Sequence, residues 1–188
     1  MEFDLIARIR ARAATRSDVL LGIGDDAAIL QVPEGQQLIV TMDSLNSGVH
    51  FQADTAPADI GWKALAVNLS DLAAMAAMPA WCTLSLSLPE PDAIWLEGFL
   101  DGFLGVAALH GVALVGGDTT RGPLSISVAA HGLVDRGQAL RRDGAQVGDD
   151  IWVTGTLGDA AAALWQWRAS AVADPWLRAR LDRPTPRA

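Results

Sequence analysis

Between residues 57 and 88 the hydrophobic period changes from that of a helix to that of a strand, and this junction limits the fold more than any other stretch. "PADIGWKALAVNLSDLAAMAA", Pro57 to Ala77, has proline at its start, an acid in its first turn and alanine-rich helix formers throughout. "AWCTLSLSL" follows and alternates, with Trp81, Thr83, Ser85 and Ser87 on one side and Cys82, Leu84, Leu86 and Leu88 on the other. That alternation predicts a half-buried strand.

The remaining elements follow by the same reasoning. Phe3, Leu5, Ile6 and Ile9 share a helical face, which predicts a short amphipathic helix ending before Ser17. "AAIL" and "QLIVTMD", separated by the turn residues of "QVPEGQ", predict a hairpin. "PEPD" opens a second helix through about His110, "VALVGGD" reads as a buried strand ending on glycines, and "LSISVAAHGLV" alternates again. "IWVTGTLGDAAAALWQW" predicts a strand, a glycine turn and a helix. The order of elements gives an α+β class with a mostly antiparallel sheet.

The net charge of −8 argues against broad attraction to nucleic acid or an anionic membrane surface. One cysteine, Cys82, excludes an intramolecular disulfide framework and suits a reducing compartment. The N-terminal stretch lacks the pattern of a signal peptide, and no apolar run approaches a membrane span, so a soluble cytoplasmic protein is expected. The basic, proline-broken "RLDRPTPRA" reads as a chain crossing into further structure.

Carboxylates gather at element boundaries: Asp25 and Asp26 in "GIGDD", Asp43 at the end of "IVTMD", Asp71 within "NLSD" and Asp118 in "GGDTT". Each has a plain structural use as a turn residue or solvated position. Asp71 resists it most, because it interrupts a very apolar helix. Hard divalent ions prefer oxygen ligands, and Mg²⁺ is commonly shared between carboxylates, waters and substrate phosphates. Gly116 and Gly117 lack side chains that would keep a phosphate from the backbone. Walker, protein-kinase and dinucleotide-binding motifs are absent from the sequence, so a nucleotide site here must be of another kind.

"GIGDDAAIL", "TMDSLNSGVHF", "KALAVNLSDLAAMAAMPAW", "GGDTTRGPLSISVAAHG" and "VTGTLGDAAAAL" occur in the order and spacing of the bacterial thiamine-monophosphate kinases, which the chain resembles over nearly its whole length. The resemblance implies transfer of the γ-phosphoryl group of ATP to thiamine monophosphate, and the fold shared with aminoimidazole ribonucleotide and selenophosphate synthetases. It implies an N-terminal α/β domain over about residues 1–137 that forms a homodimer through its sheet, followed over 138–188 by the start of a second α/β domain. It places Mg²⁺ on Asp26, Thr41, Asp43, Asp71 and Asp118, ATP on Gly117, Asp118 and Arg142, and the acceptor substrate against His50.

Departures from the family pattern are Met42 where a hydroxyl is frequent, Ala76 where "AMGA" is usual, and Ala160 and Ala163 within "GDAAAAL". The family's C-terminal acids and substrate-pocket residues have no counterpart, so a chain ending at Ala188 is expected to lack part of the site. Another ATP-dependent synthetase of the same superfamily, and a non-catalytic dimerisation and nucleotide-binding fragment, remain the alternatives.

Overall fold

The structure is a computed structural model that describes residues 2–169 and 174–188. In chain order its elements are α1 (Glu2–Arg12), β1 (Val19–Leu21), β2 (Ile29–Leu30), β3 (Gln36–Asn46), α2 (Pro57–Ala74), β4 (Met78–Leu88), α3 (Ala93–Leu109), β5 (Ala113–Arg121), β6 (Ser125–Asp135), α4 (Asp159–Arg168) and α5 (Pro175–Asp182).

Four strands form one sheet in the order β3-β6-β4-β5. The β3–β6 and β6–β4 pairs are antiparallel, and β4–β5 is parallel because α3 carries the chain back across the sheet. One face packs on α2 and α3, with Leu65, Leu69, Leu72, Leu86, Phe99, Phe103 and Ile126 fully buried between them. Burial of such side chains contributes roughly 1.5–3 kcal/mol each.

The two helices approach at backbone distance, and glycine makes that possible. A Cβ at Gly61 would lie 2.0 Å from the Phe99 carbonyl oxygen, and one at Gly102 would lie 1.7 Å from that of Ala58. The Asp92 carboxylate caps α3, accepting from the backbone N–H groups of Ile94 and Trp95 at 2.9 Å each. Both helices end in the same two-bond motif: Val112 and Ala77 N–H donate back to the carbonyls of Ala107 and Leu72, each at 2.9 Å. The left-handed residue of that motif is Gly111 after α3 and Ala76 after α2, at φ +63° and +57°.

Two sequence expectations are corrected. β2 does not form a hairpin with β3; it pairs with β1, while β3 pairs along its whole length with β6. A two-residue strand offers few ladder bonds, whereas β6 satisfies all of β3. The expected strand at 151–153 is irregular, with Ile151 and Trp152 94% and 89% exposed and no strand among the described residues to receive it.

Among the described residues the second face of the sheet is covered at one end only. There Val19, Ala28 and Leu30 of the β1–β2 unit pack on a cluster containing Trp81 and Val115. Trp81 Nε1 donates to Asp18 at 3.1 Å, and the Arg16 guanidinium on the same carboxylate holds its pKa below the ordinary range. Toward the β3 edge this face stays open, and Leu38, Val40 and Met42 are 43%, 58% and 65% exposed.

α5 docks on the flank of α2. Arg178 pairs with Asp182 and reaches the Thr55 hydroxyl at 3.2 Å. Arg183 pairs with Asp59 and lies over the Trp62 ring, 5.5 Å from its centroid, while Trp62 Nε1 donates to the Pro184 carbonyl at 2.8 Å.

Candidate functional site

The odd-numbered residues of β3 face the helices, because Asp43 sits in register with Val128, which in turn pairs with Leu84 of the buried core. Thr41 and Asp43 therefore project toward α2, whose residues Lys63, Val67 and Asp71 recur every fourth position along one face. Thr41 Oγ1 donates to Asp71 Oδ2 at 2.9 Å. Burial, and then the neighbouring Asp71 charge, push the Asp43 carboxyl above its ordinary pKa, with His50 opposing the shift. Two neighbouring carboxylates beside a hydroxyl are oxygen donors of the kind a hard cation takes.

A cavity of 310 Å³ opens beside this pair, lined among others by Asp43, His50, Lys63, Trp167, Leu181 and Asp182. His50 accepts from the Asn46 backbone N–H through Nδ1 at 3.0 Å. Lys63 Nζ donates to the His50 carbonyl at 2.7 Å. Burial lowers the Lys63 pKa, while Asp182 of α5 acts in the opposite sense.

The glycine-rich segments build a second region. In "GIGDD", Gly24 takes φ +126°, and the Asp25 carboxylate accepts from the Asp26 backbone N–H at 2.8 Å. Asp25 thus shapes the turn, and Asp26 stays exposed. The turn faces Gly116 and Gly117 across a groove of 860 Å³ that Arg10 also lines. At Gly117, with φ +148°, a Cβ would meet the Leu84 carbonyl oxygen at 1.9 Å, so β5 can run there only with glycine. Asp118 follows, exposed, at a smaller adjoining cavity that also includes Ile23 and Thr119.

The expected acids are therefore divided. Asp43 and Asp71, with Thr41 and His50, lie on the helix side at the β3 edge. Asp118 pairs with Ser85 in a row that continues through Ser127 to Ser44 on the open face. Three strand spacings, roughly 14 Å, separate β3 from β5. Among the described residues no three His, Cys, Asp or Glu side chains converge closely enough to hold a metal. One chain alone does not bring Asp26, Asp43, Asp71 and Asp118 into one pocket. Arg142 is exposed in the segment after β6 and makes no hydrogen bond or ion pair among the described residues.

Residues 24–134 match the family described as AIR synthase related protein, N-terminal domain, and so cover more than half of the chain. The chain belongs to the AIR synthase related family. Within this family it is 53% identical over 192 residues to the thiamine-monophosphate kinase of Escherichia coli K12, covering 99% of the chain and 59% of that relative. The chain thus spans less than two thirds of the relative's length. A crystal structure of thiamine-monophosphate kinase from Stenotrophomonas maltophilia is 64% identical and superposes with a TM-score of 0.89, over 99% of this chain and 62% of that one. AaThiL complexed with AMPPCP and TMP gives 34% identity and a TM-score of 0.76, over 98% and 58% of the two chains.

The family likeness leaves two features of the site for the structure to add. Lys63 and Asp182 were not singled out in the sequence as site residues. The fourfold spacing of Lys63, Val67 and Asp71 was a legible signal for the lysine; the approach of α5, over a hundred residues away in sequence, left none for Asp182.

Proposed function

We propose that the full-length protein carrying this chain phosphorylates thiamine monophosphate with ATP, giving thiamine diphosphate. The observation that carries the reading is the placing of Asp43, and of Asp71 held by the Thr41 hydroxyl, beside the His50 cavity, in a chain 64% identical to a thiamine-monophosphate kinase of known structure. The complex of AaThiL with AMPPCP and TMP supports the choice of both substrates.

The nucleophile in such a transfer is an ionised phosphate oxygen, so no strong general base is required. The work is to bring two anionic groups together and neutralise their charge. Asp26, Thr41, Asp43, Asp71 and Asp118 are the residues that would hold Mg²⁺, which supplies that neutralisation when bound. Gly117 leaves backbone exposed to ATP phosphates, Arg142 remains free to meet the nucleotide, and His50 lines the acceptor cavity. Residues 1–137 form the dimerising, nucleotide-binding unit, and 138–188 begin the second domain. The buried Cys82, and the absence among described residues of any helix long and apolar enough to cross a membrane, accord with a cytoplasmic enzyme.

The separation of the acids accords with a homodimer closed through the open sheet face. In such a dimer, closed as a barrel, the β3 edge of one copy would lie beside the β5 edge of the other. Asp43 and Asp71 of one copy, on the helix side, would then lie across that joint from the glycine-rich β5 edge of the second, whose Asp118 faces the joint itself.

The test is turnover of thiamine monophosphate at saturating Mg²⁺ by the full-length Asp71→Ala variant. Activity should fall by roughly a hundredfold or more while thermal unfolding stays near that of the parent. Undiminished turnover would remove Asp71 from the mechanism.

A further inference from the structure

Among the described residues Lys63 is the one cationic side chain lining the 310 Å³ cavity, and its ammonium points at a backbone carbonyl and not at a carboxylate. The carbonyl belongs to His50, in the tight turn after β3. There His50 N–H donates to the Asn46 carbonyl at 3.0 Å, Gly48 N–H donates to the Phe51 carbonyl at 2.9 Å, and Asn46 N–H returns a bond to the His50 ring. Because Nδ1 is the acceptor of that bond, the neutral imidazole carries its proton on Nε2 and offers it as a donor. The turn itself is exposed from residue 46 to residue 50, so little packing fixes it. Ser47 N–H, on the Leu124 carbonyl at 3.3 Å, and Asn46 Oδ1, accepting from Ser125 at 2.7 Å, tie the turn to the start of β6; among the described residues the ammonium is the one hydrogen bond that ties it to α2, and a charge-assisted bond is among the stronger single tethers available.

Lys63 stands two helical turns, roughly 12 Å, from Asp71 along the same face of α2. Asp182 of α5, which is buried and held by Arg178, favours the charged form of Lys63, while Arg178 opposes it. Helix α5 thus contributes to the setting of a side chain that reaches back to His50.

We propose that Lys63 is a positioning residue for the acceptor substrate: by clamping the His50 carbonyl to α2 it fixes the imidazole, with Nε2–H available, in the cavity beside Asp43. This inference rests on the reading of that cavity as the acceptor site. The acceptor it serves is a phosphomonoester whose phosphate lies toward Asp43 and Asp71 and whose organic part lies toward His50 and Trp167. Lys63 acts through His50 and does not itself move a proton.

In the full-length enzyme, Lys63→Met should raise KM for thiamine monophosphate about tenfold, with KM for ATP within about twofold of the parent. Lys63→Arg, which keeps a donor for the carbonyl, should recover most of the loss. On a His50→Ala background, Lys63→Met should add almost nothing, because the residue it positions is gone. An unchanged acceptor KM, an equal rise in both KM values, or full additivity with His50→Ala would each overturn the clamp. Imidazole ¹⁵N shifts of His50 read it without turnover: a single Nε2–H tautomer is expected in the parent and tautomer averaging in Lys63→Met. Averaging already present in the parent would also overturn it. A parent enzyme that holds the tautomer but does not phosphorylate thiamine monophosphate would instead refute the functional reading while leaving the clamp standing.

Discussion

Ala76 closes α2 with φ +57°, in a position where the equivalent residue of α3 is Gly111 at φ +63°. The hydrogen bonds of the two motifs match, so the difference is confined to the Cβ that alanine places near the following peptide. Ala76→Gly should stabilise the protein by about 1 kcal/mol, read as a rise in the urea midpoint at constant m-value. The departure from "AMGA" was visible in the sequence, but its meaning was not, because a packing change and a backbone strain look alike until φ is known. Gly117 shows the converse. Its neighbourhood in "GGD" pointed to phosphate approach, and the structure adds that the Leu84 carbonyl already excludes any side chain there. Asp43 and Asp71 were each legible as candidates, whereas their mutual crowding required the register of β3 against α2.

At the scale of elements, α2 and α3 are held by two glycines that let their backbones touch. Gly102→Ala should destabilise by about 3 kcal/mol or more, since the Cβ meets backbone that cannot rotate away. Gly105→Ala, on the same helix with nothing within 4 Å of the new carbon, should instead stabilise by about 1 kcal/mol. Chemical unfolding of the pair checks both signs, and a loss at both positions would show that α3 itself, and not the crossing, is at fault. The long elements were readable because their periods are strong: α2, β4, α3 and β6 lie close to where apolar spacing places them. The failures lie where pairing is decided elsewhere in the chain. "AAIL" looked like a partner for β3 because they are adjacent, but an eleven-residue strand is best satisfied by another of its own length, almost ninety residues later.

For the whole molecule, the sheet is the organising object, with one face dry beneath α2 and α3 and the other open toward the β3 edge. Val40→Lys places a charge in the middle of the open stretch. In the full-length protein it should shift the proposed dimer toward monomer in sedimentation and lower turnover in proportion, because the two groups of acids would then remain apart. An unaltered dimer would assign the assembly to another surface. The open face is not uniform along its strands. It presents Leu38, Val40 and Met42 toward one end and the row Ser44, Ser127, Ser85 and Asp118 toward the other, where the two serine hydroxyls of β3 and β6 bond at 2.6 Å. Two such surfaces in contact would squeeze out solvent at the aliphatic end and retain hydrating molecules along the hydroxyl end. The joint would then serve as adhesive and conduit at once, with a wet seam leading along the strands to the carboxylates at its margin.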